Sequence, residues 1–483
     1  MNAIPARSRG HALARACWSV LLAVPLCIGS ALALAPASPV PAPGMAGIIG
    51  LREELLQPQA WIAKLENPDA LLLDRAAVEA QNARMRRLDP SIIDLRSLPA
   101  RLPAALVRDR ISQLSRRPQR PLYDAQGQPV DAAQLQAISD NLALDAIAAE
   151  QPARHGLVVQ RAALRTFPTN LRVFSTAGDT DIDRFQESAL FPGDAVVVLH
   201  QSRDGKWAFV ASERYAAWME TRFIGIGSAE QVFGYGAHGP YRVITAAKAF
   251  TAYTPEEPRV SNLQLEMGVR VPVLADWPAM QLVNGQQAHA GHVIQLPARN
   301  ADGSLVLLPA LLPRWQESAA DYLPLTRANL VTQAFKFLGE RYGWGHSYDS
   351  RDCSGFVSEI YRSFGVLLPR NTSAQAVSPA LQRTAFGKDD GKARRDQAIA
   401  NLQVGDLVYI PGHVMMMLGH DGGMDWVIHD TAGGSWYGTD GKRVQAGLNG
   451  VSVTPLQPMM ANDQDRYIDR MTNIQRIPRQ AAK

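Results

Sequence analysis

The sequence predicts a multidomain chain in which a mostly helical amino-terminal part and two small β-barrels precede an α+β domain, its helices packed on an antiparallel sheet. Three observations carry that prediction. The chain has 483 residues, too many for one ordinary core when domains run to roughly 150 residues. Its texture changes twice, from helical periodicity to short β-branched and aromatic runs near residue 156, then to alternating helix and strand near residue 321. Its 46% hydrophobic and 19% charged residues describe a globular chain.

In chain order, residues 1–35 read as an export signal. Arg7, Arg9 and Arg15 precede an apolar run from Cys17 to Ala35, and Ala31, Ala33 and Ala35 offer small-residue cleavage positions. An uncleaved anchor is the alternative; lipidation at Cys27 is disfavoured by the bulk of Leu26. The expected location is therefore periplasmic or secreted, with no stable membrane span after cleavage. Residues 36–44 form a Pro-rich linker. Residues 45–155 carry helical runs such as LLLDRAAVEAQNARMRRL, interrupted by prolines at 90, 99, 103, 118, 121 and 129, so short helices that wrap a neighbour are expected. Residues 156–235 and 236–320 are the two barrels. LFPGDAVVVL at 190–199 and LEMGVRVPVL at 265–274 share Leu, Gly and a terminal Leu at the same spacing, a weak repeat one barrel long. Trp207, Trp218, Trp277 and Trp315 are expected as barrel core or interdomain contacts.

Residues 321–483 form the α+β domain. LTRANLVTQAFKFLGERYG places Leu330, Ala334, Phe337 and Leu338 on one helical face, and CSGFVSEIYRSFG repeats the pattern before the helix stop at Gly365. GDLVYI, HVMMMLG, DWVIHD and DRYIDRM read as strands. The Met415–Met417 run is expected to divide between core and cleft on alternating strand faces. A formal charge of +4, with Lys and Arg scattered, does not imply nucleic acid. It fits weak attraction to an anionic envelope polymer equally well.

Of the three cysteines, Cys17 and Cys27 lie in the export signal, leaving Cys353 alone in the mature chain. A single thiol in an oxidising compartment forms no internal disulfide, so it is either inert and buried or does chemistry. Cys353 opens a helix with Ser350 or Asp352 as its cap, where the helix dipole favours a thiolate. Its partner must come from elsewhere in the chain, and His413 and His429 lie on adjacent expected strands. His420 reads as a solvated turn residue, and no Cys/His spacing matches a zinc site.

Residues 341–375, RYGWGHSYDSRDCSGFVSEIYRSFGVLLPRNTSAQ, resemble the NlpC/p60 family of papain-like cell-wall cysteine peptidases. The likeness runs through Tyr and Trp-Gly, Asp-Cys-Ser-Gly, a helix ending in Gly and Leu-Pro-Arg, then Gly-Asp-Leu before a strand and a strand-opening histidine. It covers about residues 325–475, and the barrels resemble bacterial SH3-type modules. The resemblance implies Cys353 as nucleophile, His413 as general base, and His429 as the residue that orients it. It implies Tyr342, with the Cys353 backbone N–H, as oxyanion donor, and Asp352 and Ser354 as lining of the peptide cleft. A thiolate paired with protonated His413 is expected. His346 stands where the family commonly has a second glycine.

Glu187 and Tyr215 resemble the acid and tyrosine by which members with these barrels recognise a free amino terminus. Asn371 stands where several such members have Asp, and so offers an acceptor without charge. The activity implied is hydrolysis of the amide between the D-glutamate γ-carboxyl and a diamino acid in murein stem peptides, with no cofactor. The alternatives are an amidase or acyl transferase on the same scaffold, or a catalytically silent wall-binding protein.

Overall fold

A computed structural model describes residues 44–438 and 440–478. The expected export signal with Cys17 and Cys27, and the expected linker up to residue 43, lie outside the described residues. Among the described residues, no helix is long and apolar enough to cross a membrane.

The amino-terminal part forms the helices Pro58–Ile62, Arg75–Leu88, Ala104–Leu114 and Ala132–Asp140, with short strands between them. Asp74 starts the longest by accepting the Ala77 N–H at 2.8 Å. These helices share cores with their neighbours. Trp61, Leu73, Val78 and Met85 join the apolar core of the α+β domain, while Leu102, Val107 and Ile111 pack with Phe209 and Trp218 of the first barrel. The segment wraps its neighbours because prolines keep each helix too short to bury a face within the segment itself.

Strands between Arg154 and Gly227 make one seven-stranded antiparallel sheet. Trp207 and Trp218 are buried in it. Between Tyr241 and Ala319 the strands form smaller sheets around Ile244, Leu265, Val271 and Ile294, a core that also takes in Phe191 from the preceding sheet. Trp315 departs from expectation: it is 78% exposed, on the turn that follows Leu305–Pro313.

The α+β domain places the helices Arg327–Phe335 and Cys353–Arg362 against a six-stranded antiparallel sheet. Its order is Gln382–Ala385, Asn473–Arg476, Leu407–Ile410, His413–Asp421, Met424–Thr431, Gly450–Pro455. Met415, Met416 and Met417 are all fully buried; this central strand is covered on both faces, so none of the three reaches a cleft. DRYIDRM is not a strand. Arg466 and Asp469 close a turn through paired hydrogen bonds at 2.9 Å, leading into the short helix Ile468–Arg470, and the strand begins afterwards at Asn473.

Candidate active site

Cys353 is the first residue of its helix, and Asp352 is the cap, accepting the Gly355 N–H at 2.8 Å. Ser350 instead donates to Glu340 at 2.9 Å. The Cys353 sulfur lies 3.5 Å from the Thr372 hydroxyl and also feels the backbone N–H of Val414, the residue after His413. Burial pushes the thiol up to about 12, and the Asp352 carboxylate adds to the rise; the Thr372 hydroxyl and the Val414 amide pull the other way.

His413 opens its strand, and its Nε2 lies 2.7 Å from His429 Nδ1. His429 is wholly buried, with its own Nε2 3.0 Å from the Thr454 hydroxyl. Two sets of neutral tautomers satisfy both contacts; in the one that leaves His413 able to take a proton, His413 donates to His429, and His429 donates to Thr454. His413 Nδ1 is then left as the proton acceptor. Burial pushes His413 down to about 4, and burial together with His413 holds His429 well below the usual histidine range.

Both directions run against the expected thiolate–imidazolium pair. The helix end favours a thiolate, but the residue that caps the helix brings a carboxylate beside the sulfur, and burial opposes either charge.

Tyr342 is buried, and its phenol is held above the ordinary range by burial first, then by Cys353 and Asp352. It therefore stays protonated, able to donate a hydrogen bond next to the thiol.

Asp352 and Ser354 face inward. Burial alone would raise the Asp352 carboxyl, but the Arg370 guanidinium overrides it and holds the group well below the carboxylate range. Arg370 donates to both Asp352 oxygens at 3.1 and 2.8 Å, to Ser354 Oγ at 2.9 Å and to Ser188 Oγ of the first barrel at 2.6 Å. It also meets His346 Nδ1 at 2.8 Å. His346 Nε2 lies 2.8 Å from Glu359. The network continues through Arg351 to Glu266 of the strand Gln264–Glu266, 2.9 Å away, and from Glu266 to Arg161, 2.7 Å away.

The sequence reading assigned no role to Arg370, although it closes the Leu-Pro-Arg motif. His346, read as a departure from the family pattern, is a member of this network. Its backbone takes a left-handed φ of 64°, which suits glycine, and bonds at both ring nitrogens hold it there. Gly345 beside it is required by close approach: a Cβ there would lie 2.9 Å from Gln186 Cγ.

The three residues expected to meet a free amino terminus come together. Tyr215 donates to Glu187 at 2.5 Å, and Thr166 donates to the other Glu187 oxygen at 2.5 Å. Burial raises the Tyr215 phenol above its ordinary range, Glu187 adds to the rise, and a hydrogen bond with Asn371 opposes it. Consecutive residues thus reach three places: Arg370 clamps Asp352, Asn371 meets Tyr215, and Thr372 meets the nucleophile.

Two stretches of the chain match known families. Residues 172–220 match SH3 domains of the SH3b1 type, and residues 339–455 match the NlpC/P60 family. A gamma-D-glutamyl-L-lysine dipeptidyl-peptidase of Bacillus cereus is 26% identical over 254 residues, spanning 48% of this chain and 69% of that protein. The protein named Probable endopeptidase p60 of Listeria welshimeri is 32% identical over 110 residues, 23% of this chain and 20% of its own. A solved NlpC/P60 endopeptidase from Photobacterium damselae subsp. piscicida shares the fold, with a TM-score of 0.69 over 87% of this chain and 97% of that one at 17% identity. Tyr342, Cys353, His413, His429 and Thr454 all fall inside the longer family match, and the chain carries an NlpC/P60 domain preceded by an SH3 domain of the SH3b1 type.

Proposed function

We propose that the protein is a cysteine peptidase of murein stem peptides, acting in the periplasm or after secretion on the amide between the D-glutamate γ-carboxyl and the diamino acid. Cys353 Sγ attacks the amide carbon as His413 Nδ1 takes the thiol proton. The Cys353 backbone N–H and the Tyr342 hydroxyl stabilise the oxyanion. His413 returns the proton to the leaving amine, then activates the water that releases the acyl group from sulfur. His429 and Thr454 hold the base in the required tautomer. Asp352 and Ser354, read from the sequence as cleft lining, here position the nucleophile helix with Arg370. The stretch 236–320 is read as a second barrel, and 45–155 as a wrapping segment.

The observation that carries the substrate assignment is the run Arg370–Asn371–Thr372, which joins the Glu187–Tyr215 pair to the nucleophile. Glu187 and Tyr215 belong to the first barrel, and their oxygens suit the ammonium of a peptide that begins with L-Ala. Turnover of free L-Ala-γ-D-Glu-diaminopimelate, compared with the same peptide linked to muramic acid, tests this. The free peptide is expected to be cut faster, and Glu187→Ala to lower its turnover roughly ten- to hundredfold, as expected for loss of a charged hydrogen-bond partner. Equal rates on both substrates would mean an open cleft acting on intact wall.

A further inference from the structure

Behind the nucleophile helix lies a cavity of about 730 Å³, bounded by the amino-terminal segment, the first barrel and the far end of Cys353–Arg362. Its lining includes Arg86, Arg96, Arg214, Arg270 and Arg362 against Asp94, Asp194 and Glu213. The acids are already engaged. Glu213 pairs with Arg86 at 2.7 Å, Asp194 accepts from Arg362 Nη2 at 2.9 Å, and Asp94 accepts the Arg96 backbone N–H of its own turn at 3.0 Å.

The arginines are not all engaged. Arg362 Nη1 is buried with no hydrogen-bond partner. The half-buried Arg214 side chain forms no hydrogen bond or ion pair among the described residues, and burial, then Arg362, push it down to about 10. Arg270 stacks on Tyr241 and Tyr322, at 4.8 and 5.8 Å from the ring centres, and also hydrogen-bonds Tyr241. Five guanidinium groups face only three acids here, Asp194 and Glu213 offsetting part of the charge at Arg214, and an anion bound between Arg214 and Arg362 relieves the repulsion that remains.

We infer that this cavity is a binding site for a small anion carrying two carboxylates or a phosphate, held between Arg214 and Arg362 and separate from the catalytic cleft. Nucleophile and cavity occupy opposite ends of one helix: Cys353 is its first residue and Arg362 its last, a span of roughly 13 Å at the helical rise. The space suits a ligand of that size. Both chemistries use the same planar, bidentate donors, and the murein peptides of the proposed substrate class would bring carboxylates.

Calorimetric titration of the full chain, at low and constant ionic strength with chloride as the control anion, tests this with two probes, glutarate and inorganic phosphate. Saturable binding of one equivalent of either probe is expected, and its identity tells which source the site prefers. Arg214→Gln should weaken it roughly tenfold or more, in line with the loss of one charged hydrogen-bond donor. Arg96→Gln, at the exposed rim, should weaken it less and serves as the second variant should Arg362→Gln fail to fold. Alkylating Cys353 with iodoacetamide should leave binding intact. Absence of saturable binding by both probes, binding unchanged in Arg214→Gln, or binding lost on alkylation would each overturn the assignment.

Discussion

Cys353 is held through a largely charged network that reaches the first barrel and Glu266 beyond it, whereas His413 is held through neutral groups inside a single sheet. On the sulfur side, Asp352, Arg370, His346, Glu359, Arg351, Glu266 and Arg161 form one buried series spanning residues 161 to 370. On the imidazole side, His429 and Thr454 lie on neighbouring strands of the domain that supplies His413. The first arrangement ties the position of Cys353 to how the segments before residue 321 dock; the second holds His413 whatever those segments do. A buried charge left without its partner is expensive, while a lost neutral hydrogen bond is not. The two sides should therefore fail differently.

The largest effect is expected from Arg351→Met. Arg351, Glu266 and Glu359 are all fully buried, so the substitution removes the cation shared by two carboxylates, leaving Glu266 paired with Arg161 and Glu359 with His346, and should lower stability by roughly 3–5 kcal/mol, as measured for broken buried pairs. Denaturant unfolding measures it. A loss near zero would show that the network adds nothing between domains.

A smaller effect, dependent on pH, is expected at Asp430. This carboxyl is fully buried beside His429, and neither oxygen has a hydrogen-bond partner. Burial pushes it up to about 9; Asp352, Glu340 and Glu359 add to the rise, and Arg351 opposes it. Above the unfolded value of about 3.9 the unfolded chain has lost this proton while the fold still holds it, so Asp430 makes stability fall as pH rises until about 9. Asp430→Asn keeps the shape without the titration. Melting temperatures compared between about pH 5 and pH 9 should show the variant gaining on the wild type as pH increases; parallel curves would mean that the carboxylate is already ionised.

The smallest effect is expected from Thr454→Val, which removes one neutral hydrogen bond to His429. It should cost about 0.5–1.5 kcal/mol, seen as a roughly threefold to tenfold drop in kcat with KM little changed. A loss as large as that of His413→Ala would make Thr454 more than an orienting contact.

Much of the imidazole side was legible in the sequence because its signals are local. A histidine opens an apolar strand, a second sits on the next strand, and the cysteine begins an amphipathic helix. Thr454 gave no such signal, being one β-branched residue in a strand. The sulfur side was largely hidden, since its partners are far apart in sequence and nothing in Arg351 or Glu266 alone says that the two meet. DRYIDRM misled because apolar positions in a turn closed by an i, i+3 ion pair alternate much as strand residues do. The methionine run misled because alternation assumes one open face, and this strand has none. The burial of Cys353 and His413 also needed the structure: the sequence locates the helix end, but not the burial that opposes its field.

The most direct test of the central claim is fragment-mass analysis of a defined stem peptide, L-Ala-γ-D-Glu-diaminopimelate-D-Ala, after incubation with wild-type protein and with Cys353→Ala. The account predicts L-Ala-D-Glu and diaminopimelate-D-Ala from the wild type, and intact peptide from the variant, which should still fold. Wild-type protein that leaves this peptide whole, or the same fragments from Cys353→Ala, would contradict it.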